Sequence, residues 1–281
     1  MNLRVLRVSV VNLCFFFCAA ASAETFTLAG KTVVLEPPQG YCALDAARPQ
    51  EAELIAFNEK MQQPRNHVIM QLADCDELAE FRAGKRQNFD KYGQYFTPVS
   101  EGGGVKRVTG YARADFLADA AKELPKLDSN GLVDEVTKKL HENAGADVGG
   151  VKFLGVLKQD DAGVYMGIAF GNLSVGNQSL ANSSMGVVGL TLVNEVSVSL
   201  GLYRVNVGPE AVPDLLSALQ QTMASMVAAN AANEARESPR IWHGINLDEL
   251  GQSALRGALI GGAIGFLAWV WSRWRKRRTG A

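Results

Sequence analysis

Histidine is scarce in this chain: His67, His141 and His243 are the three it has among 281 residues. No two stand at i,i+4 on a helix and no cysteine lies beside them, which excludes the common histidine-bearing metal sites. Cysteine is nearly as rare, with four residues and no CxxC spacing. Ser183-Ser184 lacks a glycine elbow, so a serine hydrolase would have no nucleophile turn. Gly102-Gly103-Gly104 is not followed by GK[ST], and a phosphate loop is excluded with it. A basic stripe is missing too. Between Glu24 and Glu249 stand 20 basic residues against all 29 acidic ones, a net −9, whereas the whole chain carries −1. That balance excludes nucleic acid as a partner and argues against surface docking on anionic lipid. Neither a catalytic set, nor a metal site, nor a cofactor is expected.

What the chain does have is concentrated at its ends. Arg4 and Arg7 precede an apolar run from Val8 to Ala21, and Ala21-Ser22-Ala23 supplies small residues at a cleavage site. This is the pattern of a secretory signal, 1–23, cleaved after Ala23, with a retained first membrane helix as the alternative. Phe15-Phe16-Phe17 before Cys18 does not fit a lipobox. At the other end, Gly257 to Ser272 carries no charge. Sixteen residues reach only about 24 Å, so a crossing must begin near 251, with Arg256 snorkelling to the outer headgroups. Trp269, Trp271 and Trp274 form an aromatic belt. Arg273, Arg275, Lys276, Arg277 and Arg278 follow, and the positive-inside rule leaves them in the cytoplasm. The competing assignment for this stretch is a hairpin or a buried core helix.

The expected organisation is a signal over 1–23, a periplasmic domain over 24–230, a stalk over 231–250, a transmembrane helix over 251–272 and a basic tail over 273–281. Cys14 and Cys18 leave with the signal, so Cys42 and Cys75 remain and an oxidising compartment favours a disulfide between them. Alternating residues predict hairpins at 25–35, 153–170 and 185–207, with Asp160-Asp161 as turn residues. Apolar spacing predicts helices at Gln50 to Met61, Tyr111 to Leu124, Leu132 to Asn143 and Pro213 to Ala229. His67 to Leu72 and Tyr92 to Val99 are expected strands, and Gly171 to Ser184 a long polar loop. The fold class is α+β, an antiparallel sheet flanked by helices.

Leu157-Lys158-Gln159-Asp160-Asp161 before a Val-Tyr strand, a strand pair carrying Leu202-Tyr203, and a closing helix that ends in Asn230 follow in order. By that element order, from about Glu24 to Asn230, the chain resembles the Mog1/PsbP-like domains, a group that includes exported bacterial proteins. The resemblance implies a binding or assembly scaffold and carries over no catalytic residue.

Two features remain as sites. Asp74, Asp76, Glu77 and Glu80 surround Cys75; paired carboxylates there would suit acid–base work or calcium, or merely a helix N-terminus. Gly257, Gly261 and Gly265 repeat every four residues on one helix face, a pattern that lets helices associate closely in lipid. Together these predict a membrane-anchored envelope scaffold whose partners are the membrane, a second copy or a partner helix, and an envelope protein. The alternative is a periplasmic enzyme with an acidic site near Cys75.

Overall fold

A computed structural model describes residues 23–100, 102–175, 178–181, 183–234 and 249–263. The expected signal, the middle of the stalk, Gly265, the three tryptophans at 269, 271 and 274, and the basic residues from Arg273 to Arg278 fall outside the described residues.

The expected antiparallel sheet is there. Strands β1 (Glu24–Leu28) and β2 (Lys31–Leu35) form a separate hairpin across a turn in which Ala29 and Gly30 take positive φ. β3 (Tyr41–Ala43), helix α1 (Pro49–Gln62), β4 (Asn66–Asp74), α2 (Cys75–Arg82) and β5 (Lys91–Pro98) follow. Then come α3 (Arg113–Glu123), α4 (Ser129–Ala144) and β6 (Ala146–Val148). The chain continues through β7 (Lys152–Gln159), β8 (Val164–Phe170), β9 (Leu173–Val175), β10 (Gln178–Ala181), β11 (Ser184–Val193), β12 (Val196–Val205) and α5 (Val212–Glu234). The last described element, α6, covers 249–263.

Seven strands make the main sheet, in the order β3-β4-β5-β12-β11-β8-β7, with every neighbouring pair antiparallel. Alternation sends successive side chains to opposite faces. On β12, Val198, Leu200 and Leu202 point to one core together with Leu215, Leu219, Met223 and Met226 of α5. Tyr203 and Val205 point to the other, with Phe96 of β5, Phe116 of α3 and Leu140 of α4. The molecule is therefore layered: α5 and the β1–β2 hairpin on one face, α1 to α4 and α6 on the other.

Two local differences from the sequence expectation stand out. Residues 171–184 are not simply a loop, because β9 and β10 pair there and join β6 in a three-stranded sheet. Strands of three and four residues hold too little apolar alternation to show among Gly, Asn and Ser. The second difference concerns the expected span. Among the described residues no helix is long and apolar enough to cross a membrane. Residues 249–263 of the proposed stalk and span lie inside the fold: Leu250, Ala254, Leu255, Ala258, Leu259, Ile260 and Ala263 are all buried in the core shared with β5, β8 and β12. The core thus continues past residue 230, where the sequence pattern put the domain's end. Burying Leu255, Leu259 and Ile260 each stabilises by about 1.5–3 kcal/mol. Glu249, Gln252 and Arg256 make one partly exposed polar stripe, but from Gly257 on the helix is apolar on every side, which suits a protein core as well as a bilayer.

Candidate functional site: a cleft that holds a helix

Cys42 and Cys75 are joined by a disulfide. They meet because β3 and β4 are neighbours and Cys75 opens α2 directly after β4. Three of the acidic residues around Cys75, namely Asp74, Glu77 and Glu80, hold this corner together. Asp74 caps α2, accepting from the N–H groups of Asp76 and Glu77, and meets Lys91 Nζ at 3.2 Å. Glu77 accepts the N–H groups of Asp90 and Lys91 at 2.7 and 3.2 Å, and burial holds its carboxyl above the usual range. Arg86 bridges Glu77, Glu80 and Asp90. Asp74, Glu77 and Glu80 are thereby tied into the fold around the start of α2, where a helix N-terminus favours acidic groups. Among the described residues no group of His, Cys, Asp and Glu is arranged to hold a metal ion.

The histidines are dispersed as the sequence indicates. His67 Nδ1 lies 2.9 Å from Glu59 and His141 Nδ1 lies 2.8 Å from Asp147, each at the surface; His243 is outside the described residues. Asp160 is turn chemistry, accepting the N–H groups of Ala162 and Gly163, and it also fastens Tyr165 and Gln220 of α5.

The most elaborate polar arrangement lies on the sheet face beneath α6. Tyr92 of β5 and Tyr203 of β12 are cross-strand partners, and their rings stack with centroids 5.2 Å apart. Tyr203 lies flat because its neighbours are glycines. A Cβ on Gly186, its partner on β11, would sit 2.6 Å from the ring, and one on Gly201 would sit 2.4 Å from the hydroxyl. The flat ring aims its O–H at the carbonyl of Ala258, at 2.9 Å. Tyr92 donates likewise to the carbonyl of Gly262. Burial drives both phenols far above their ordinary range, so they are neutral donors.

Amides complete the grip. Gln94 of β5 and Gln62 at the end of α1 both donate to the carbonyl of Gly257 at 3.0 Å. Asn66 at the start of β4 donates to the carbonyl of Ser253 at 3.0 Å, and Ser253 Oγ donates back to Asn66 Oδ1 at 2.6 Å. Asn58 of α1 orients Gln94 by donating to its Oε1 at 2.7 Å. Five side chains from four elements, α1, β4, β5 and β12, therefore converge on the carbonyls of Ser253, Gly257, Ala258 and Gly262, one face of α6. A carbonyl has two lone pairs, so those of Ser253 and Ala258 can accept from the sheet while keeping their place in the helix ladder, and that of Gly257 accepts two side-chain donors.

Such contacts need the helix axis close to the sheet, and the glycines provide that. A Cβ on Gly257 would lie 2.1 Å from Phe96, one on Gly261 2.1 Å from Gln94, and one on Gly262 2.2 Å from Phe170. Of the face expected from the sequence, Gly257 and Gly261 thus turn toward β5, and Gly262 beside them turns toward Phe170 of β8. Arg256, expected at a headgroup, meets Glu135 of α4 at 2.8 Å from the middle of α6, and Lys106 pairs with Glu249 at its start. A cavity of about 30 Å³ lies beside Asn58, Gln94 and Gly261, room for one or two waters.

Sequence reasoning missed Gln62, Asn66, Tyr92, Gln94 and Tyr203. Gln94 offers a signal, standing within Tyr92-Gly93-Gln94-Tyr95-Phe96, whereas Gln62 and Asn66 have polar neighbours in the sequence and their burial is set by the fold.

No family model and no curated protein matches the chain. Among solved structures, a solution structure of cyanobacterial PsbP (CyanoP) from Synechocystis matches at 11% identity and a TM-score of 0.31, covering 76% of this chain and 96% of that one. At that TM-score the likeness is weak.

Proposed function

We propose that the protein is a non-enzymatic scaffold or accessory protein of the bacterial envelope, exported by its signal and held to the inner membrane by its C-terminal segment. In this reading the domain faces the periplasm, the basic tail from Arg273 stays in the cytoplasm, and the partners are the membrane and an envelope protein. One observation carries the reading: the best-organised polar constellation in the fold grips the main chain of a helix. Its donors are amides and neutral phenols, groups suited to recognition. The disulfide supports an oxidising compartment. The basic cluster and three tryptophans beyond α6 support a membrane-facing end.

Protease treatment of spheroplasts from cells making the full chain tests this. The domain should be digested from outside, while an epitope at Ala281 stays protected and sediments with membranes. Recovery of the intact chain in the cytosol would overturn the assignment.

A further inference from the structure

The amides beneath α6 form a directional chain, and one end of it is open. Gly257 offers a carbonyl, which can only accept. Gln94 must therefore turn its Nε2 to that carbonyl, as it does at 3.0 Å, and its Oε1 the other way. Asn58 in turn must present Nδ2 to that oxygen, at 2.7 Å. Reversing either amide would set two oxygens against each other, so the orientation of Asn58 is dictated from α6. Asn58 is 3% exposed, and the Oδ1 left over has no hydrogen-bond partner among the described residues. A buried acceptor without a donor is rare in folded proteins.

The neighbouring side chains have already given their donors elsewhere. Asn58 stands on the wall of the cavity of about 30 Å³, opposite the apolar side chains of Leu54, Phe57, Leu72 and Phe89. Gln71 lines it too, but its Nε2 is given to the carbonyls of Leu54 and Ile55 at 3.4 and 3.3 Å. The Tyr92 hydroxyl is given to Gly262, and Gln94 Nε2 to Gly257. One carboxamide oxygen among apolar walls is too poor a ligand set for a cation. The space suits a water, which is both small enough and a donor.

We propose that this cavity is a hydration site, in which a long-lived water donates to Asn58 Oδ1 and so fixes the amide chain Asn58–Gln94–Gly257 that seats α6. A buried water keeps two to four polar partners. Gln71 and Gln94, which line the same cavity, each bring a carboxamide oxygen that can take its second hydrogen. Asn58 is then a positioning residue, acting on α6 through Gln94, and the water is the part that holds Asn58 in the required sense. The proposal does not depend on the membrane reading above.

Water–protein NOESY and ROESY spectra of the full chain test it. Cross-peaks from water to the Asn58 side-chain amide and to the methyls of Leu54 and Leu72 should have opposite signs in the two experiments, the mark of a water that stays. Asn58→Leu replaces the acceptor by an apolar group of similar size and should remove them. Leu54→Phe fills the cavity, leaves Asn58 in place and should remove them as well. In that variant the Gln94 side-chain amide should exchange its hydrogens about tenfold faster, because Asn58 has lost the donor that orients it. Leu54→Phe also serves if Asn58→Leu does not fold. Absence of the cross-peaks in the unaltered chain would overturn the proposal, and so would their survival in Asn58→Leu. Unchanged Gln94 exchange with the cavity filled would overturn it too, because the water would then hold nothing in place.

Discussion

Tyr203 could not do its work with a different neighbour at Gly186 or Gly201. The ring needs the space of two missing side chains to lie flat, and only from there does its hydroxyl reach Ala258. Tyr203→Phe keeps the ring and removes that donor. Because the carbonyl keeps its helix partner, the loss should be about 0.5–1.5 kcal/mol by urea unfolding. His67 and Glu59 give a pH signature. The hydrogen bond to Glu59 raises His67 above its ordinary 6.5, with burial opposing. Burial works against ionisation of Glu59, but the hydrogen bonds from His67 and the Val68 N–H outweigh it and lower the carboxyl below its ordinary 4.5. The histidine's contribution is therefore fully present below 6.5 and lost as pH rises through its raised folded value. The carboxylate's is present above 4.5 and lost as pH falls through its lowered folded value. The pair stabilises most between those limits. Both groups are partly exposed, so solvent screening keeps the amplitude small. His67→Gln should flatten the stability profile between about pH 6 and 8, measured by urea midpoints across that range.

Elements are tied together by a few long-range polar contacts. Asn230 near the end of α5 donates to the carbonyl of Val34 at 2.8 Å and accepts its N–H at 2.9 Å, so one side chain pairs with β2 as a strand would. It also donates to Met226 in its own helix. Asn230→Ala should strand both Val34 groups and cost about 1–3 kcal/mol, seen as a lower melting temperature and faster exchange of β1 and β2 amides. The disulfide acts between β3 and the start of α2, 33 residues apart. Replacing both cysteines by serine should cost about 3–4 kcal/mol in thermal unfolding, the loop-closure value for that separation. At this scale the sequence is a good guide. Asp160-Asp161-Ala162-Gly163 announces the β7–β8 turn, and Leu215, Leu219, Met223 and Met226 announce the buried face of α5, because each pattern is local. β6, β9 and β10 escaped notice because strands this short carry no period long enough to read.

For the whole molecule, the sequence and the fold part company at α6. Its glycine repeat is legible, and so is the need for close approach. What approaches is not. Gln62, Asn66, Gln94 and Tyr203 come from α1, β4, β5 and β12 and are brought together only by the strand order of the sheet. An apolar run that fits a bilayer and a core equally well carries no local mark of its neighbours. The domain therefore has a shape that its own C-terminal helix completes, and the glycines at 257, 261 and 262 are as much a part of the cleft as the tyrosines opposite them.

Hydrogen exchange followed by mass spectrometry on the full chain, without membranes, tests that account most directly. Amides of 253–263 should exchange as slowly as those of β5 and β12, in one cooperative unit with the sheet. Rapid exchange through 253–263 beside a fully protected sheet would contradict it, because the cleft would then hold no helix.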